Sequence, residues 1–233
     1  MANLIRVPKH SNDWTQEDLK AYNIQVISKD EEGFFGEKLL EYIPMESLEK
    51  RLEVYLKLGD RGSSITNLSR ELLYGLKFGE RSKLLIGGER LPLIVCGNTS
   101  VAQTSVCVIN RRTESILFIN KCEKEDKDPE PQAIAGAIAA FQYNNRIRKN
   151  MDLDKIDEMT IPCITMRGIF PSFYLVPVTK GLSDHVMGGA YPDNTTEVLK
   201  YFPEKSMKSD RNEILKYCES FKKFVDNLEK RII

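Results

Sequence analysis

The residues of this chain best placed to do chemistry together are Ser105, Cys122 and Lys124, with Glu71, Glu123 and Glu125 in reach. They gather on two apolar, β-rich runs, Val101–Ile109 and Ile116–Cys122, on either side of the polar turn Asn110–Ser115. That pattern predicts an antiparallel hairpin. With the turn centred near Thr113, residues whose numbers sum to about 226 face each other. Ser105 then lies opposite Lys121 and within one residue of Cys122. Side chains alternate along a strand, so Phe118, Asn120, Cys122 and Lys124 share one face. The end of the hairpin therefore presents a hydroxyl, a thiol and an ammonium group at one spot. Metal-assisted phosphodiester hydrolysis would require two carboxylates there to hold Mg²⁺, with a lysine two residues beyond the second to orient water or stabilise charge. The lysine is present as Lys124; a serine hydroxyl is a weak Mg²⁺ ligand and carries no charge. Replacement ligands would have to come from Glu71 on a preceding helix, or from Glu123 or Glu125.

Other chemistries find less support. Cys122 as a nucleophile needs a base, and the two histidines, His10 and His185, have no motif tying them to it. The glycines of Leu84–Leu91 lack the spacing of a phosphate-binding loop. Arg146, Arg148 and Lys149 close a predicted helix and suit phosphates of a nucleic acid. The helix dipole favours cations at that end in any case.

Several elements must position these groups. After the charged link Glu123–Pro131, residues Gln132–Asn150 carry small and apolar side chains at helical spacing, which predicts a long helix against the sheet. Upstream, Trp14–Tyr22 reads as a helix capped by Thr15, Ile24–Ile27 as a short strand, and Gly33–Gly36 as an aromatic pair that docks a terminal segment on the core. Met45–Leu58 is an amphipathic helix with Leu48, Leu52 and Tyr55 on one side, and a second helix runs from Asn67 to about Leu76, carrying Glu71. Leu84–Ile86 and Leu91–Cys96 read as short strands around the turn GGER. Downstream, Ile161–Met166 and Phe173–Val178 are strands joined by RGIFPS, Leu182–Met187 a short helix, and GGAYPDNTT a surface loop. The final helix, from Asp210, aligns Ile214, Tyr217, Phe221, Phe224 and Leu228. The expected fold is α/β, a mixed sheet of about five or six strands flanked by helices. Residues 1–60 form an arm and helical cover and residues 61–233 the core, in one continuous unit.

The 34 basic and 34 acidic residues of this 233-residue chain cancel, so bulk charge calls for no polyanionic partner, although a basic patch within a neutral total still permits one. None of the five cysteines forms a CxxC pair, which argues against structural zinc and for reduced thiols. No apolar signal core and no run of about 18 apolar residues occurs, so the expected setting is intracellular, without a membrane partner.

The runs AQTSVCV, ILFINKCEK and DPEPQAIAGAIAAFQYNN resemble a large fungal family with a PD-(D/E)XK-type, restriction-endonuclease-like core. So do the opening WTQEDLKAYNIQV…FFG and the later MTIPCITMRGIFPSFYLVPVT, so the similarity extends over most of the chain. The resemblance implies a Mg²⁺ site with an aspartate at the position of Ser105, a glutamate at that of Cys122 and the lysine at Lys124. The helix opening at Gln132 matches the family pattern, while Gly136 stands where an acid is usual. A literal EDK, Glu125–Lys127, lies three residues beyond the matched position. The resemblance thus implies a nuclease-like chain with a degenerate metal site, acting as a nucleic-acid- or protein-binding scaffold. The alternatives are an active Mg²⁺-dependent nuclease with a non-standard site built from Glu71, Glu123 or Glu125, and a protein-interaction module.

Overall fold

The computed structural model describes residues 6–36, 39–59 and 63–232. Its main sheet has seven strands in the order β1 (Ile24–Ser28), β9 (Thr196–Tyr201), β8 (Phe170–Thr179), β7 (Glu158–Arg167), β6 (Ile116–Glu123), β5 (Val106–Asn110) and β2 (Lys83–Gly87). The β1–β9 and β6–β7 pairs are parallel and the rest antiparallel, which makes the sheet mixed as expected. A separate two-stranded sheet pairs β3 (Arg90–Val95) with β4 (Asn98–Gln103).

The β5–β6 hairpin follows the mirror relation read from its sequence. Val106 pairs with Asn120, Cys107 with Ile119 and Val108 with Phe118, before a bulge shifts the register toward the turn. Asn110 builds that turn by accepting the backbone N–H groups of Arg112 and Thr113 on its Oδ1. The run Val101–Ile109 is not one strand. It breaks at Thr104–Ser105, where the chain leaves the small sheet and enters the main one. The strands flanking the GGER turn likewise belong to different sheets, β2 pairing with β5 and β3 with β4. The seventh strand of the main sheet, β9, takes it beyond the five or six expected and lies in a stretch for which the sequence predicts no strand.

Two layers of helix cover the sheet. On one face lies α5 (Glu130–Asn150), the crossover between parallel strands β6 and β7. Pro131 stands in its first turn, and every residue from Glu130 to Phe141 is buried. A helix apolar or small on all sides belongs between two layers, and here it runs between the main sheet and the β3–β4 pair. On the other face, α7 (Arg211–Ile232) and α4 (Ser64–Gly75) pack on β5, β6 and β7, and α3 (Glu46–Leu58) packs outside α4 through Leu48, Leu52 and Leu56. The aromatic pair Phe34–Phe35 of α2 (Glu31–Phe35) enters a cluster with Phe173, Tyr201, Tyr217 and Phe221. The remaining helices are α1 (Gln16–Ala21), held by a Thr15–Asp18 capping box, and α6 (Lys180–Gly188). Because β1 forms an edge of the main sheet, the described residues before 60 supply part of the core as well as its cover.

Candidate functional site

The predicted juxtaposition at the hairpin end is present. Ser105, one residue before β5, donates its backbone N–H to the Asn120 carbonyl at 2.9 Å, and its Oγ accepts the Cys122 N–H at 2.9 Å. Strand alternation sends Phe118, Asn120 and Cys122 toward α4 and α7. Phe118 meets Phe78 and Phe221 there, while Ile119 meets Gly136 of α5 on the opposite face.

At the heart of this face is a residue that is not among the candidate site residues above. Asn120 is fully buried, and both ends of its amide are used. Its Oδ1 accepts the Ser69 hydroxyl at 3.0 Å and the Cys122 thiol at 3.2 Å, and its Nδ2 donates to the Ile164 carbonyl at 3.0 Å. An amide inside the apolar run ILFINKC was the available signal, since a buried polar group must find partners. Ser69 gives no such signal, because only the phase of α4 on the sheet brings it in. Burial pushes the Cys122 thiol up to about 11, against the opposing pull of the Ser69, Ser105 and Thr66 hydroxyls. At neutral pH the group is a protonated thiol, neither a thiolate ligand nor a nucleophile.

The acids named as replacement ligands are directed elsewhere. Glu71 lies about half a helical turn from Ser69 and pairs at 3.0 Å with Arg51 of α3, so α4 turns it away from the sheet. Glu123 alternates onto the α5 face, 3.6 Å from the Lys121 ammonium. Lys121 itself is buried, donating to Asn12 Oδ1 at 2.8 Å and reaching the Gln103 carbonyl at 3.4 Å. Burial lowers its pKa against the attraction of Glu123. Glu125 leans over the β7–β8 turn, across β6 from Ser105. Its backbone carbonyl accepts Arg167 Nε at 2.7 Å, and its side chain lies where any Cβ on Gly168 would collide with it. The literal EDK is therefore outside the hairpin site. Lys124 follows the last residue of β6, exposed, and falls by alternation on the Cys122 side. Gln132 is buried in the first turn of α5, and its Oε1 has no hydrogen-bond partner among the described residues.

The basic cluster is not part of this site. Asn144 holds the backbone of Ile116, so the C-terminal half of α5 lies at the start of β6 and the Ser105–Cys122 site at the far end of the strand. Arg146, Arg148 and Lys149 lie roughly 20–25 Å from Gln132 along the helix, at about 1.5 Å per residue. Arg148 Nε is engaged by the Asp154 carbonyl at 2.6 Å.

Among the described residues, no three histidine, cysteine, aspartate or glutamate side chains gather closely enough to hold a metal ion. The donors actually at the hairpin end are neutral and mutually hydrogen-bonded, a poor match to Mg²⁺, which favours carboxylate oxygens. Among the described residues, no helix is long and apolar enough to cross a membrane. No protein-family model and no curated protein matches the chain.

Proposed function

We propose that this chain is a nuclease-like scaffold that has given up metal-dependent hydrolysis and keeps a binding role. One observation carries the reading. The positions where the PD-(D/E)XK resemblance calls for two carboxylates hold Ser105 and Cys122, and these join Asn120 and Ser69 in a closed, uncharged hydrogen-bond network. The surrounding elements support the same ancestry: a helix laid over the site face, an antiparallel hairpin, a crossover helix and a parallel strand. A Mg²⁺ ion at this spot would have to break satisfied bonds and would gain no negative charge in return. The rival, an active nuclease drawing on Glu71, Glu123 or Glu125, requires each acid to leave the position described above.

Calorimetric titration with Mg²⁺ and Mn²⁺ tests this, together with cleavage assays on single- and double-stranded DNA and RNA. Neither metal binding nor cleavage is expected. Cleavage that disappears in Lys124→Ala, Glu123→Ala or Glu125→Ala would overturn the reading and locate an active centre.

A further inference from the structure

A second surface, remote from the hairpin end, has the features of a recognition groove. It lies between β3, the C-terminal half of α5 and α6, and encloses a cavity of about 240 Å³. Ile94, Phe141 and Met187 line it, and Arg146, Lys149 and Lys155 stand around it. We propose that this groove binds an acidic peptide segment anchored by one aliphatic side chain.

Charge is the first argument. Arg146, Lys149 and Lys155 have no carboxylate within 4.0 Å among the described residues, whereas Lys180 and Asp184, which also line the cavity, neutralise each other at 2.6 Å. Three uncompensated positive charges around one cavity, on a chain whose total is zero, select a negative partner. Size is the second. Small-molecule sites typically occupy about 300–1,000 Å³; this one is smaller and suits one inserted side chain better than a cofactor. Its apolar character is the third, since Ile94 exposes an aliphatic surface inside a cationic rim.

The mode of binding also follows. The outward backbone groups of Ile94 are already occupied by the side-chain amide of Gln142, whose Oε1 accepts the Ile94 N–H at 2.8 Å and whose Nε2 donates to its carbonyl at 3.1 Å. The partner therefore does not add a strand at Ile94; it enters through a side chain. Single-stranded nucleic acid fits less well, because it needs open aromatic faces for its bases. Phe141 is buried, and the Arg146 guanidinium covers the Tyr143 ring at 5.2 Å.

The inference rests on the binding half of the preceding reading and not on its nuclease ancestry. A positive cleavage assay would sink that ancestry and leave this groove intact, whereas failure of the following test sinks the groove alone. The probes are a fluorescein-labelled peptide with a central leucine flanked by glutamates, the same peptide with serine for leucine, and a short oligothymidylate. Fluorescence anisotropy on the full chain follows each at low and near-physiological ionic strength. The leucine peptide is expected to bind about tenfold tighter than the serine peptide, and more weakly at higher salt. Arg146→Glu combined with Lys149→Glu is expected to abolish binding while lowering the melting temperature only slightly, because both side chains are exposed and lose only the favourable helix-end placement and the Tyr143 contact. Ile94→Asp is expected to remove the preference for leucine. Absence of saturable binding, equal binding of the two peptides, or binding that survives charge reversal would overturn the proposal. Tighter oligothymidylate binding that vanishes in the same variant would also overturn it and reassign the groove to nucleic acid.

Discussion

Putting the carboxylates back is the sharpest test of the hairpin-end geometry. Ser105 Oγ accepts the Cys122 N–H at 2.9 Å, so the two side chains are cross-strand neighbours. Cβ atoms of directly opposite residues lie about 4.5–5.5 Å apart and diagonal neighbours farther, still within reach of a glutamate side chain. Two ionised carboxylates about 5 Å apart, at an effective dielectric constant of about 20, repel by about 3 kcal/mol. A double-mutant cycle of Ser105→Asp and Cys122→Glu isolates that coupling from the cost of each change alone. It is read by urea unfolding at pH 7, followed through the single, buried tryptophan, Trp14. Repulsion raises the pKa of one carboxyl in the folded state above its unfolded value. The coupling therefore grows as pH rises through that raised pKa and is absent below about pH 4, where both states are protonated. If the pair forms a cation site, Mn²⁺ at about 100 times its Kd returns about 2.7 kcal/mol to the double variant and little to either single one. A coupling near zero, with no Mn²⁺-dependent gain, would refute the claim that these positions face one another as a lost ligand pair.

Other outcomes follow from the same structure. At pH 7.5 a thiol with a pKa of about 11 is ionised to roughly one part in 3,000, so iodoacetamide should leave Cys122 unmodified until the chain is unfolded. Cys107, pushed up to about 12 by burial, should behave likewise, as peptide mapping by mass spectrometry would reveal. Lys121 has its pKa lowered by burial, so the unfolded chain binds the extra proton between that value and about 10.4, and stability rises with pH across the interval. Lys121→Met should abolish this alkaline rise, and a denaturation series that still shows it would exclude Lys121 as its source. Phe221 is fully buried against Phe34, Phe118, Phe173 and Phe224, so Phe221→Ala should cost about 3–5 kcal/mol by chemical denaturation. A loss under about 1 kcal/mol would mean that α7 is not seated on the sheet through this ring.

What could be read in advance was whatever short-range periodicity dictates. The hairpin register emerged because alternation and a short turn leave few pairings between Val106–Val108 and Phe118–Asn120. The buried stripe of α7 and the Thr15 cap of α1 are equally local. The break at Thr104–Ser105 was illegible, because one apolar run serves two sheets and only their separate partners divide it. The strand β9 was missed because its place is fixed by two distant neighbours, β1 and β8.

The same division runs through the candidate site. The sequence by itself placed Ser105 opposite Lys121, within one residue of Cys122, and showed that neither Ser105 nor Cys122 is a carboxylate, since both facts depend on residue identity and hairpin register. Tertiary structure alone decided that Glu71 turns to Arg51 while Ser69 turns to Asn120, that Glu123 lies on the far face, and that the basic cluster stands at the other end of the sheet. Helix phase and the direction of a crossover are set by which surfaces bury against which, and that choice is made only when the whole core packs.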